Sequence, residues 1–347
     1  MKRIQEAIKQ KAKEYHARRV YGERQIKYFS LVTCLLIGVG LFVEFGYYST
    51  IGHLGTSIAF EIFKVHVLKL GVILGYAYFI DLLISFISRT NPHTFKEGIV
   101  FPFKRPAFLF STLFILMFSL DAPISVCGIT ITVMTILSQN TKKGHTFYHV
   151  SPALIGYLIG VIGVIVTNNN LGLVELPPAL SAPYMVVTDA LHPLSFTEFT
   201  LEYYSLQTVI FGLFEGSLCF TVIIPLILGA LFLMKRRVID YKLTLLYVGS
   251  YILVGGLLGV VFQQPSWIIL LFLLNGSVLI TGIFILPDVV SLERHLKFKY
   301  SYVMISAILT VLLSYFIHFI YAPYIVVGVM QLLTWGYAVS KKAINRR

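Results

Sequence analysis

Long apolar stretches alternate with short clusters of lysine and arginine along the chain, and this alternation restricts the fold more than any other feature. Residues 27–49 and 242–262 are examples of such stretches, and a helix of about 20 apolar residues spans a bilayer. Only 13% of the 347 residues are charged, against roughly 25% in a soluble domain. Mean hydropathy is +0.80. Too few ionisable groups remain to coat a water-facing surface, which excludes a soluble enzyme, a secreted disulfide scaffold and a disordered chain. The sequence predicts an all-α, polytopic transmembrane helical bundle.

Charge placement sets the expected topology. The net charge is +12, and nine of the 28 lysines and arginines fall between Lys2 and Lys27. The others gather at Arg89–Arg105, Lys142/Lys143, Lys235–Lys242, Arg294–Lys299 and Lys341–Arg347, apart from Lys64 and Lys69. Cytoplasmic loops carry such an excess, whereas no basic groove or stacking platform suggests nucleic acid. About ten spans are expected, at 27–49, 67–88, 105–119, 121–140, 151–168, 205–234, 242–262, 266–286, 301–320 and 323–340. Both termini are then expected on the cytoplasmic side of the plasma membrane. Residues 1–26 read as a basic amphipathic helix on the anionic inner leaflet, with Ile4, Ile8, Ala12 and Tyr15 at helical spacing. Residues 27–340 form the membrane domain and 341–347 a basic cytoplasmic tail. The first apolar stretch is expected to stay in place as an anchor. No lysine or arginine occurs between Thr167 and Met234, which places the polar, proline-punctuated segment 169–204 outside.

Within this frame several residues invite a chemical role. Phe118–Ser125 (FSLDAPIS) and Phe284–Ser291 (FILPDVVS) share a pattern five spans apart, as expected of an inverted repeat with broken helices. Pro102, Pro106 and Pro123 bracket a segment too short for a straight span, so a half-crossing helix is expected there. Ionisable groups at membrane depth mark function by default. Asp121 at a broken hairpin and Glu215 between Gly212 and Gly216 are the main ion or proton path candidates, with Asp288 beside them. Glu44, Asp81 and Asp288 lie within a turn or two of an interface, close enough to reach water. Cys34, Cys127 and Cys219 are scattered through apolar stretches and read as small buried hydrophobes. His145 and His149 sit beside Lys142 and Lys143, which would repel a metal cation, and no metal site is expected. The 27 Phe and 21 Tyr are expected mainly toward lipid and at the interfaces.

Four segments, in order, resemble the NqrB/RnfD family, membrane subunits of Na+-translocating NADH:quinone reductase and of Rnf electron-transport complexes. Gly144-His145 followed by Pro152–Tyr157 (PALIGY) is similar to the family's G-H-N-x-x-N-P-A-x-x-G-Y. Asp189–Ser195 (DALHPLS) is similar to its D-A-x-S-G-A-T. Gly212–Ser217 (GLFEGS) looks like its G-x-x-G-E-T-S helix, and Leu286–Ser291 (LPDVVS) looks like its T-D-P-V-T/S turn. The resemblance covers about residues 100–340.

It implies two inverted five-helix repeats, similar to urea transporters, and an electron-transfer role beside other membrane subunits, an FMN-binding protein or an NADH dehydrogenase. It also implies FMN or riboflavin as cofactor, with quinone as an alternative. Ser195 falls where the family esterifies a threonine to FMN, although His192, Pro193 and Leu194 replace the small residues before it. Ser195, Asp189, His192 and Glu215 are accordingly the expected cofactor-binding residues, with the flavin either esterified or noncovalently held. The chain lacks soluble NAD-binding and iron–sulfur domains, so it would act as one subunit of an oxidoreductase, an extracellular electron-transfer system being one setting. The competing reading from the same fold is a channel or permease for a small solute or ion.

Overall fold

A computed structural model of the protein describes residues 24–43, 45–46, 55–87, 105–118, 122–139, 150–170, 219, 222–261, 275–287, 299–316 and 322–344. These residues are almost entirely helical, in the order α1 (Arg24–Val43), α2 (Gly55–Ile87), α3 (Pro106–Met117), α4 (Ile124–Gln139), α5 (Pro152–Asn170), α6 (Ile223–Lys235), α7 (Tyr241–Val261), α8 (Gly276–Ile280, continuing as a π-helical turn through Thr281–Ile285), α9 (Lys299–Phe316) and α10 (Ala322–Ile344). Among them α1, α2 and α7 are long and apolar enough to cross a membrane. The architecture is that of an all-α membrane protein.

α2 begins twelve residues before the span expected at 67. Glu61, Lys64 and His66 interrupt the hydropathy pattern, but nothing between Gly55 and Ile87 breaks a helix, and Lys64 pairs with Glu61 one turn away at 3.5 Å. At 33 residues the helix is about 50 Å long, more than a hydrocarbon core of about 30 Å requires. The polar turns therefore fit beyond the apolar layer.

α3 and α8 are short for the opposite reason: they lie inside the protein. α3 has 12 residues, starts on Pro106, whose missing N–H costs nothing at a helix start, and is buried from Leu109 to Met117. Extended backbone at Phe118 ends it. α8 opens on Asn275, whose side-chain oxygen accepts from the Ser277 and Val278 amides, satisfying donors that a buried helix end would leave orphaned. Every residue of α8 and its π-helical turn is buried. The shared sequence pattern starts directly after α3, at Phe118, and within the π-helical turn that ends α8, at Phe284, and α3 is the short helix at Pro106, where the sequence predicts a half-crossing one.

The two halves of the described structure pack in the same pattern. In the first, α2 contacts α3 and α4, and α5 contacts α3 and α4; in the second, α7 contacts α8 and α9, and α10 contacts α8 and α9. Two pairs of helices five apart run in opposite directions. α1 and α6 touch through Arg24 and Arg236, Tyr28 and Phe232, and Val32 and Gly229, so one sequence rises as the other falls. α5 and α10 behave likewise, through Ser151 with Gln331 and Tyr157 with Tyr324.

Each short helix is tied at its start to the long helix before it. Arg105, the residue preceding α3, makes an ion pair with Asp81 of α2, and the Asn275 amide donates to the Tyr251 hydroxyl of α7 at 3.1 Å. Both ties span 24 positions. Asp81, expected to reach water, is instead 2% exposed, because Arg105 folds in beside it and supplies the charge that water would have screened. None of the three cysteines is in a disulfide, and Cys127 and Cys219 are buried and Cys34 partly so, as expected.

Candidate functional site

Where the two short helices meet the flanking helices, the hydroxyl groups are largely used up by the protein itself. Thr33 of α1 and Thr112 of α3 share a hydrogen bond of 2.8 Å. Ser111 donates to the Ala107 carbonyl, Ser277 to Asn275 Oδ1, and Thr281 to the Ser277 carbonyl. The first of these bonds cross-links α1 to α3, and the other three close within a single helix or its cap. Among the described residues no group of His, Cys, Asp or Glu could hold a metal ion.

Several aromatic side chains face outward as expected, Phe42, Phe60, Phe79 and Phe86 among them, but others turn inward. Tyr247, Tyr251 and Tyr324 are among the largest fully buried side chains, not lipid-facing bulk. A ladder of rings runs from α3 through α5 to α10. Phe114 stacks on Phe118 with centroids 4.8 Å apart, Phe118 meets Tyr157 edge-on at 6.0 Å, and Tyr157 meets Tyr324 at 4.5 Å. The Tyr324 hydroxyl lies 3.8 Å from Cys219 Sγ. Gly160 is what lets α5 approach: a Cβ there would sit 3.0 Å from the Phe118 ring and 3.2 Å from Phe114. Offset and edge-on ring contacts of this kind add about 0.5–1.5 kcal/mol each beyond burial.

One amide stands out on the same seam. Gln331 is buried, and its Oε1 accepts from the Ser151 backbone N–H at 2.7 Å. Its Nε2 has no hydrogen-bond partner among the described residues. A buried amide donor left unmade costs about 1–3 kcal/mol, so the position calls for an acceptor. Seven residues separate Gln331 from Tyr324, about 10 Å along one face of α10.

Some of these contacts involve or adjoin the sequence segments singled out above. Tyr157 closes the Pro152–Tyr157 segment, Cys219 follows Gly212–Ser217 by two residues, and Pro287 at the head of the Leu286–Ser291 segment accepts a hydrogen bond from Gln25 of α1 at 3.5 Å. The sequence profile of the NQR2, RnfD, RnfE family matches residues 16–327. The chain belongs to the NQR2, RnfD, RnfE family. Comparison with curated proteins gives no match. NQR2, RnfD and RnfE proteins are membrane subunits of electron-transport complexes, which are associated with flavin. That membership agrees with the resemblance read from the motifs.

Ser195, Asp189, His192, Glu215, Asp121 and Asp288 lie outside the described residues, as do Glu44, His145, His149 and residues 1–23. The site visible in this NQR2/RnfD/RnfE-family chain therefore rests on residues that sequence reasoning passed over. Tyr157 had a signal, as the last residue of the Pro152–Tyr157 segment. Tyr324 and Gln331 had none, because an apolar helix shows no sign of which face turns inward. The seam combines buried aromatic rings, the Tyr324 hydroxyl and an unmet amide donor at Gln331.

Proposed function

We propose that this family member is an electron-carrying membrane subunit that holds a flavin (FMN or riboflavin) or a quinone noncovalently where α5, α10 and Cys219 meet. The observation that carries this reading is the buried Gln331 Nε2, a donor awaiting a ring carbonyl on the same helix face as Tyr324. The bound ring would supply the redox chemistry. The chain's own residues do the rest. Tyr157 and Tyr324 present ring faces, Gln331 orients the carbonyl edge, and the buried Phe114–Phe118 pair keeps water away.

Ser195, Asp189 and His192 on the external segment, and Glu215 just before Cys219, are proposed to contact the same or a second flavin. Ser195 is the hydroxyl available for a phosphoester. Asp121 and Asp288, which follow α3 and α8, are the proposed ion or proton path residues. The repeated packing and the reversed directions of α1/α6 and α5/α10 support a pair of inverted five-helix repeats. Partner subunits such as an FMN-binding protein or an NADH dehydrogenase would deliver and remove electrons.

Flavin per chain in the purified full-length protein and in Gln331→Leu tests this. A lost hydrogen bond of about 1 kcal/mol is roughly a fivefold loss of affinity, so the variant should retain a clearly smaller flavin fraction, with a lowered melting temperature because the Ser151 N–H loses its acceptor. Equal flavin content in both proteins would remove Gln331 from the site. The two short buried helices also favour a second reading, a solute channel. Swelling of proteoliposomes in a small neutral solute, from a colourless preparation, would support that reading over the first.

A further inference from the structure

One end of the bundle carries a backbone conformation that its residue does not favour. α6 closes with the Val238 N–H bonded to the Leu233 carbonyl at 3.0 Å and the Arg237 N–H to Met234 at 2.9 Å. This is the Schellman arrangement, in which the residue here occupied by Arg237 is left-handed and usually glycine. Arg237 has φ 54° and is exposed. An observed backbone outlier of this kind points toward a use for its side chain.

Its neighbours supply the use. The Arg24 guanidinium lies 5.8 Å from the Tyr28 ring centroid, Tyr28 meets Phe232 at 6.0 Å, and the Arg236 guanidinium lies 5.5 Å from the Phe232 ring. Arg24 Nη2 also donates to the Arg236 carbonyl at 3.4 Å. The two guanidiniums therefore bracket an aromatic pair, a setting that holds them in fixed positions. Lys27 of α1, Lys235 of α6 and Lys242 at the start of α7 are also exposed. Asp240, the carboxylate described in the α6–α7 turn, is engaged by Lys299 at 3.1 Å and by the Lys242 N–H at 3.2 Å.

Away from these cations the surface turns apolar along helical stripes. On α1 the exposed residues run Arg24, Lys27, Leu31 and Leu35, and on α6 they run Lys235, Leu231, Leu228 and Ile224. The helices are close-packed, since a Cβ on Gly229 would lie 2.8 Å from Val32 Cγ1. Each stripe thus changes from leucine to cation in the order in which a phospholipid changes from acyl chain to phosphate. A soluble acidic partner would have no use for the leucines.

We propose that the α1–α6 pair is a seat for an anionic phospholipid, with its phosphate held by Arg24, Arg236 and Arg237 and its acyl chains along Leu31, Leu35, Leu228 and Leu231. Arginine forks match phosphate oxygens, and each cation near an anionic headgroup adds enough attraction for about a fivefold gain in affinity.

Native mass spectrometry of the full chain, offered phosphatidylglycerol and phosphatidylcholine in equal amounts, tests this. We expect at least about a fivefold preference for phosphatidylglycerol, lost in R24Q/R236Q/R237Q and unmoved by millimolar inorganic phosphate or glycerol phosphate. Displacement by those soluble ions would mean that the arginines read a free phosphate and would overturn the lipid assignment. Equal retention of the two lipids, or a preference that survives the triple substitution, would also overturn it. Arg237→Gly guards against loss of fold. It relieves the left-handed strain, so its melting temperature should not fall, while the preference should drop severalfold. An unchanged preference there would contradict the proposal.

Discussion

Arg105→Gln should leave little folded protein, and adding Asp81→Asn should restore most of it. The Asp81 carboxylate is 2% exposed and faces Arg105, itself 5% exposed. Removing the guanidinium alone leaves a buried charge without its counterion, a loss of about 3–5 kcal/mol. Removing both charges while keeping shape and hydrogen-bonding groups is close to neutral in such pairs. Melting temperatures read by size-exclusion chromatography in detergent distinguish the cases. The single variant should fall sharply and the double variant should return near the parent. If Arg105→Gln melts like the parent, Arg105 does not fasten α3, and the matched tie of Asn275 to Tyr251 at α8 loses its meaning as a counterpart.

Gly160→Leu should be at least as damaging, through packing. The nearest atoms to a Cβ at this position belong to Phe118 and Phe114, two stacked rings that are themselves wedged against Tyr157. No flexible side-chain end is available to give way, whereas the clash at Gly156 is with the Met134 thioether, which can turn aside. Overpacking a tight core costs about 1–3 kcal/mol and more where rings cannot rotate. Gly160→Leu should therefore aggregate on extraction, while Gly156→Ala should survive with a lowered melting temperature. The reverse order would show that α5 is not seated on the α3 ring pair.

The contrast between these two glycines shows what the sequence could reveal. Apolar stretches and basic clusters announced a membrane bundle because the bilayer imposes length and charge directly on the residues. Pro106 and its neighbours announced a short helix because proline removes a backbone donor. The segments Pro152–Tyr157, Gly212–Ser217 and Leu286–Ser291 announced the family. Direction and pairing were not legible in the same way. Arg105 looked like one more basic loop residue, and Asp81 like a carboxylate near water. That they meet depends on the path of α3, a tertiary fact with no local signature. Tyr324 and Gln331 lie on α10, where buried and exposed faces are both apolar, so the inward face could not be chosen. The residues favoured from sequence, Ser195 and Glu215 first among them, await the same geometric test.

The visible spectrum of the full-length protein, purified in mild detergent from flavin-replete cells, bears most directly on the central claim. Recorded before and after dithionite, it should show a flavin band that bleaches on reduction, and acid precipitation should release that flavin into the supernatant. Flavin retained in the pellet would mark attachment at Ser195 or elsewhere in place of noncovalent holding. A flat difference spectrum from folded protein would contradict the account of this chain as a flavin-carrying electron-transfer subunit.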